Sequence, residues 1–390
     1  MATVIVTGSG GLIGSESVKF FAETGYEVIG IENDMRARFF GSDASTQRTT
    51  DLLTRLYPAF RSEAIDIRDE DGVDRIFARH ARDLELVIHA AAQPSHDWSA
   101  VEPRTDFQIN AAGTLNLLEA ARRHTADATF IFMSTNKVYG DRPNDLPLAE
   151  LDDRLDLRRD HRYFRGIDTS MALDRSMHSP FGVSKAAADL MVQEYGRYFE
   201  LPTVCFRGGC LTGPNHAGAE LHGFLSYLMR CAVTGKPYSI YGYAGKQVRD
   251  NIHSADLVSA FAEFHRAPGA AAVYNIGGGR ANSCSILEAI AICERITGDQ
   301  MACEYVDTPR RGDHRWWITD LEPFRRDYPL WSLEHDLEAT LQAIHDSNAE
   351  FWEGDDEARK STKPRRAREK SLRGTKRTQA KRPRRISRRG

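Results

Sequence analysis

The stretch ATVIVTGSGGLIG, residues 2–14, decides the fold. Its first half is a short β-branched run, its second is a turn with glycines at 8, 11 and 14, and a helical pattern continues from Leu12 to about Thr24. Strand, glycine turn and helix in that order bring backbone N–H groups to the positive helix end, where a pyrophosphate can approach because no Cβ intervenes. Glu32 closes the next apolar run, YEVIGIE (26–32), 18 residues beyond Gly14. A carboxylate there accepts ribose hydroxyls and repels a 2′-phosphate, so NAD is expected rather than NADP. Arg36 and Arg38 follow closely and weaken that preference. Asp66 and Ile67, in AIDIRD (64–69), fall beside the adenine if the sheet is wound this way.

Outward from this unit, apolar runs recur at LELVIHAA (84–91), ATFIFMS (128–134) and PTVCFRG (202–208), separated by helix-like stretches such as 111–124 and 183–199. The alternation predicts an α/β fold, a Rossmann-type doubly wound parallel sheet over residues 1–208. From about residue 209 the pattern turns irregular, with helix-like segments at 221–233, 283–297 and 334–347. A smaller C-terminal substrate-binding domain over 209–352 is expected above the carboxyl edge of the sheet, with 245–280 returning to the first domain.

The composition agrees with a globular body and sets off its end. The chain has 390 residues, 41% of them apolar, which suits about two domains with a sizeable core. Residues 359–390 hold 16 Lys or Arg and one acid, Glu369, a net +15 that leaves the preceding residues at −18. KPRRAREK and KRPRRISRRG have too few apolar residues to offset the entropy of ordering, so 353–390 is read as a disordered basic tail. Such a tail can contact nucleic acid or anionic surfaces through phosphate charge, or stay a solvated tail. The six cysteines include no C-x-x-C pair and no Cys/His cluster at zinc-finger spacing, so no metal is expected. No window nears the about 18 apolar residues of a membrane span, and the N-terminus enters a strand without a basic leader. A cytoplasmic protein with reduced thiols is the expectation.

The spacing G-x-x-G-x-x-G resembles the extended short-chain dehydrogenase/reductase superfamily, whose members modify nucleotide sugars. HAAAQ (89–93), INAAGTLNLLEAAR (109–122), STNKVYG (134–140), FGVSK (181–185) and VRDNIH (248–253) follow in that superfamily's order. Within it, STNKVYGD, HSPFGVSKAAAD, GKQVRD and YNIGGG followed by Asn282-Ser283 resemble the CDP-paratose 2-epimerases, also called CDP-tyvelose 2-epimerases. The resemblance implies an isomerase of carbohydrate metabolism, in lipopolysaccharide or polysaccharide biosynthesis, that acts on a CDP-linked nucleotide-diphosphate sugar. Bound NAD⁺ takes a hydride from C2 of the deoxyhexose and returns it to the opposite face. The resemblance further implies a homodimer through helices 111–124 and 183–199, and a cofactor set of Gly8, Gly11, Leu12, Ile13, Gly14, Glu32, Asn33, Asp66, Ile67, Ala90, Ala91, Ala92, Asn110 and Lys185.

Removing hydride from a secondary alcohol requires a base at the hydroxyl. The family uses a tyrosine, lowered in pKa by a lysine one helical turn later, with a Ser or Thr sharing the hydrogen bond. Thr135 matches the Ser/Thr position and Lys185 the lysine, while Phe181 occupies the tyrosine position four residues before Lys185. Phenylalanine cannot transfer a proton. General acid–base catalysis is typically worth about 10²–10⁴-fold, so turnover without it is slow, or another group serves. Tyr163 and His178, in the segment leading into the helix, are the preferred substitutes, with Cys210, His96 and Thr135 as further candidates. A non-catalytic NAD and nucleotide-sugar-binding protein, acting as sensor, scaffold or partner subunit, is the rival reading.

After Thr135 comes Asn136-Lys137, where the 4,6-dehydratases carry Asp-Glu, which disfavours dehydration; a 4-epimerase of another nucleotide sugar stays open. The two phosphates of the substrate call for fixed guanidinium groups. Arg249 and Arg310 match the family's phosphate ligands, with Arg311 competing, and Asn215 and Gln247 are polar candidates. His216, His222, His253 and His314 form no metal-ligand pattern, and Trp316-Trp317 reads as packing or a dimer contact.

Overall fold

The computed structural model describes residues 1–216, 223–310 and 312–362. His222, Arg311 and most of the expected basic tail, 363–390, lie outside the described residues.

The chain forms β1 (Thr3–Thr7), β2 (Glu27–Ile31), β3 (Phe60–Glu63), β4 (Leu84–His89), β5 (Thr129–Thr135), β6 (Thr203–Gly208), β7 (Cys210–Thr212), β8 (Tyr238–Tyr241), β9 (Val248–His253), β10 (Ala272–Ile276), β11 (Ser283–Ser285), β12 (Cys303–Val306) and β13 (Trp316–Trp317). Its longer helices are α1 (Leu12–Glu23), α2 (Gly113–His124), α3 (Pro180–Tyr198), α4 (Phe224–Thr234), α5 (Ser254–Arg266), α6 (Ile286–Thr297) and α7 (Leu337–Thr362). Seven strands build the central sheet in the order β3-β2-β1-β4-β5-β6-β10, every neighbouring pair parallel. The winding reverses between β1 and β4, which opens a crevice at the carboxyl ends of those strands. Thr7 registers with Ile31 and His89, so the glycine turn, Glu32 and Ala90 emerge side by side.

The period-two alternation assigns the faces. Val4, Val6, Leu86 and Ile88 pack on one side with Val18 of α1 and Phe261 of α5, whereas Ile5, Val87, Phe130 and Phe132 pack on the other with Leu117 of α2 and Val192 of α3. Burial of each such side chain contributes about 1.5–3 kcal/mol. Ser179 caps α3 by accepting from the Gly182 N–H at 3.2 Å, and Pro180 at the first helical position loses no hydrogen bond, so the helix starts three residues before 183 and includes Phe181.

Beyond Gly208 a separate core joins Leu228 of α4, Ile240 of β8, Ala289 of α6 and Leu341 of α7. Strand β8 pairs with β12, while β9 pairs with β7, β11 and β13. Trp352 packs into this core and α7 continues to Thr362, so the expected end of the body falls inside a helix. Trp316 and Trp317 are fully buried; Trp316 donates to Asp156 at 3.1 Å and Trp317 stacks on Tyr139 with centroids 5.6 Å apart, which makes the pair core packing. No helix among the described residues is long and apolar enough to cross a membrane.

Candidate active site

A cleft of about 480 Å³ runs along the carboxyl edge of the sheet, from the glycine turn past Thr135, Phe181 and Lys185 to Arg249 and Arg310. Its first part fits a dinucleotide. Gly8 has φ +68°, and a Cβ there would lie 2.9 Å from the Ala91 backbone, while a Cβ on Gly14 would lie 2.0 Å from the Gly8 carbonyl oxygen. Only glycine lets the turn close against α1. Gly11 stands at the N-cap of α1 and supplies no side-chain cap, so the first turn opens on the cleft rather than on a hydroxyl of the protein. The Glu32 carboxylate accepts from the backbone N–H groups of Gly10 at 2.9 Å, Asn33 at 3.0 Å and Asp34 at 2.9 Å. A carboxylate offers about four acceptor positions, so one is left for a ribose hydroxyl. Asn33 donates to Asp66 at 2.9 Å, and Asp66 also accepts from Arg68. Burial alone would raise the Asp66 pKa, but the Arg68 contacts outweigh it and hold the carboxyl below its usual range. Leu12, Ile13, Ile67, Ala90 and Ala92 complete the lining.

Asn110 corrects the expected set. It is almost fully buried in a wide turn, Gln108–Ala112, before α2, and its amide is engaged on both sides: it accepts from the Gln93 N–H at 2.9 Å and donates to Ser184 at 3.0 Å and the Gln93 carbonyl at 3.0 Å. It therefore ties the β4 exit loop to α3 and does not line the cleft. A second buried chain fixes the same loop. Ala91 N–H donates to Thr7 Oγ1, His89 lies between Thr7 and Thr114 at 2.8 Å from each, and Thr114 donates to the Asn110 carbonyl. Since the Thr114 proton is spent on Asn110, His89 donates through Nε2 and accepts from Thr7 through Nδ1. Burial, with Lys185 adding to it, keeps this imidazole neutral.

At the middle of the cleft, Thr135 Oγ1 accepts from the Lys137 backbone N–H at 3.2 Å. Lys185, one turn after Phe181 on α3, donates to the Met133 carbonyl at 2.8 Å and lies 4.0 Å from the Phe132 ring centroid. Burial lowers its pKa to about 7 against the opposing pull of Asp189. Beneath them a buried pair holds the strand ends: Asp189 accepts from Arg207 at 2.7 and 3.0 Å and from Ser134 at 2.5 Å, and Arg207 also donates to the Tyr139 hydroxyl at 3.0 Å.

The two preferred substitutes for the missing tyrosine do not reach the cleft. Tyr163 packs with Tyr139, Ile167 and Trp316 in a core of its own. His178 has its ring nitrogens against the carbonyls of Val138, at 2.7 Å, and Ser176, at 3.1 Å. Both were placed by nearness in sequence to α3, but the irregular segment between residues 156 and 180 turns them away. His96 and Cys210 do line the cleft. Burial pushes the Cys210 thiol up to about 11 and, with Lys137 contributing, the His96 imidazole down to about 3. His96 Nδ1 lies 2.6 Å from Ser179 Oγ, and Nε2 is buried without a partner among the described residues.

The far end is cationic. Arg249, Arg310 and Lys137 surround Asp313. Burial would raise the Asp313 pKa, yet Lys137, Arg249 and Arg310 together hold it down, so it is a carboxylate that balances their charge. Arg310 also lies 3.6 Å from Asp97. Asn215 donates to Ser15 at 3.3 Å, and Gln247 donates to the Tyr241 carbonyl at 3.2 Å, its own Oε1 buried with no partner among the described residues. Asp313 was not singled out from the sequence, and Lys137 was read only as half of the Asn136-Lys137 pair that disfavours dehydration. Lys137 stands two residues after Thr135 in the STNK run, which was the available signal.

The family model described as the NAD dependent epimerase/dehydratase family matches residues 4–277. A CDP-paratose 2-epimerase of Salmonella typhi is 32% identical over 360 residues, covering 88% of this chain and 98% of that protein. A dTDP-glucose 4,6-dehydratase of Neisseria meningitidis is 28% identical, covering 90% of this chain and 96% of its own length. Among solved structures, the UDP-glucose 4-epimerase of Thermus thermophilus in complex with NAD superposes with a TM-score of 0.70 at 24% identity, over 88% of this chain and 98% of that one.

Proposed function

The chain belongs to the NAD dependent epimerase/dehydratase family, and from that premise we propose that it is a nucleotide-sugar epimerase acting at C2 of a CDP-linked deoxyhexose. One observation carries the reading: a single cleft joins the glycine turn and Glu32 to Arg249 and Arg310, with Thr135 and Lys185 between them. The likeness to the Salmonella typhi 2-epimerase along nearly its whole length supports the CDP-linked substrate.

Bound along the first half of the cleft, NAD supplies a reversible hydride acceptor. The residues of the chain do the rest. The first turn of α1 and Glu32 orient the dinucleotide, and Arg249 and Arg310 take the diphosphate of the sugar nucleotide through charge-assisted hydrogen bonds. Asp313 gives up part of its hold on these cations when the diphosphate arrives. Thr135 Oγ1 accepts one backbone N–H and donates to Asn136 Oδ1 over a long 3.5 Å, a contact that the sugar oxygen replaces when it binds. Two copies of the chain pair through the outer face of α3, where Val183, Leu190, Met191 and Tyr198 remain exposed.

Phe181 favours a second reading, a protein that binds NAD and a nucleotide sugar without turning it over. Mass spectrometry of the small molecules released on denaturing the freshly purified protein, followed by incubation with NAD⁺ and CDP-paratose, separates the two. A mixture of C2 epimers supports the epimerase; unaltered CDP-paratose after prolonged incubation supports the binding protein.

A further inference from the structure

We propose that Lys137 is the catalytic proton-transfer group at the reacting sugar hydroxyl, serving where Phe181 offers none. This rests on the epimerase reading above. The geometry is a sequence of contacts along one wall of the cleft. Phe181 meets the His96 ring edge-on, with centroids 5.1 Å apart. A Cβ added to Gly312 would lie 2.9 Å from His96 Nδ1, and the Gly312 carbonyl accepts from Lys137 Nζ at 2.7 Å. Thr135 and Lys137 share one short turn, because the Thr135 hydroxyl oxygen accepts the Lys137 backbone N–H. The lysine amine thus belongs to the cleft that Thr135 and Phe181 line, and it is tied to the Phe181 side of the wall through Gly312 and His96.

The neighbouring groups are poorer choices. Cys210 stays a thiol and His96 stays a neutral ring across the neutral range. Lys185 also lines the cleft but is more deeply buried than Lys137, with Nζ held on the Met133 carbonyl and over the Phe132 ring. Lys137 is held at about 8, by burial first; Arg249 and Arg310 push in the same direction, and Asp313 and Cys210 oppose them. The remaining group facing this corner is His314, which is neutral, with Nε2 on the Gly140 carbonyl. A base is most effective when its pKa lies near the working pH, and the neutral amine has one lone pair for the incoming proton.

In the step, the sugar O–H bond breaks and its proton adds to the Nζ lone pair. The C–H electron pair at the same carbon leaves as hydride to NAD⁺, and the C=O bond forms. On return of the hydride, Nζ gives the proton back, so the cycle consumes none.

The test uses the full chain with NAD⁺ and CDP-paratose as probe. Competitive acetylation read by peptide mass spectrometry should give Lys137 a midpoint near pH 8, and CDP-paratose should protect it while CDP does not. Lys137→Met and Lys137→Arg should each lower kcat by about 10²–10⁴-fold and remove the rise in rate through pH 8, with the affinity for NAD unchanged. Arginine keeps a donor for Gly312 but cannot accept a proton near neutral pH, so it separates chemistry from packing. Turnover in both variants within twofold of the native rate, or a Lys137 midpoint near 10.5, would overturn the proposal while leaving the epimerase reading intact. No turnover by the native chain, with CDP-paratose bound and Lys137 unprotected, would overturn both.

Discussion

The His96 imidazole stands edge-on to the Phe181 ring, planes at 76°, with its Nδ1 2.6 Å from the Ser179 hydroxyl that caps the same helix. Phe181 is therefore held at the cleft wall by a ring that is itself tied to the start of the helix, and Phe181→Tyr should add a hydroxyl there without unseating the helix. With Lys137 in place, the substitution should change kcat by less than tenfold and leave CDP binding unaltered. A gain above a hundredfold would identify the native chain as a binding protein.

Glu32→Gln removes the charge that repels a 2′-phosphate and weakens an acceptor serving three backbone N–H groups. A hydrogen bond to a charged group is worth about 1.5–3 kcal/mol, so the affinity for NAD should fall about ten- to hundredfold and discrimination against NADP should relax. Titration calorimetry with both dinucleotides checks this; unchanged discrimination would locate the adenosine ribose elsewhere.

Arg249→Met should weaken CDP binding by a similar factor and flatten its dependence on salt, while NAD binding stays within twofold. Equal losses for both ligands would mean that the substitution disturbs β9 rather than a phosphate contact.

Burial, aided by Lys137, Arg36 and His335 respectively, holds His96 and His216 down to about 3 and His253 to about 4. Their unfolded values are about 6.5, so below that pH the unfolded chain takes up protons that the folded chain refuses. Stability should be full above about pH 7 and decline from pH 6.5 toward 4, at up to about 1.4 kcal/mol per pH unit for each ring. Asp250, raised to about 6 by burial against several hydrogen bonds, opposes this as a single group. Urea midpoints at pH 8, 6 and 5 measure the balance; a flat profile would contradict it.

Arg207→Met strands the fully buried Asp189 carboxylate without its cation. Loss of one partner from a buried pair costs about 3–5 kcal/mol, and the thermal midpoint should drop accordingly. Asp189→Asn with Arg207→Met should recover part of the loss, since no uncompensated charge then remains.

The glycine turn and Glu32 were legible because their message is local: positive φ, close approach and a strand-ending carboxylate are written at single positions. Phe181 and Lys185 were legible through helical spacing, which fixes a shared face. Tyr163 and His178 were not, because they belong to a segment without periodicity, where nearness in sequence carries no direction. Asn110 was placed in the right neighbourhood but on the wrong side of its loop, since a wide turn rotates it into the protein. Lys137 was legible only as part of a pair that departs from the dehydratases' Asp-Glu; the fold alone encloses it with Asp313 and Arg249.

Strand β6 has β5 on one side and β10 on the other, and β10 lies far along the chain at Ala272–Ile276. A nascent polypeptide that has left the ribosome as far as Gly208 already carries the whole glycine turn, Glu32 and Lys185, yet it presents a bare strand edge. Such an edge is a template for pairing with other chains. The nucleotide-binding half is thus committed early in translation, while the edge of β6 stays uncovered until the ribosome delivers residue 276.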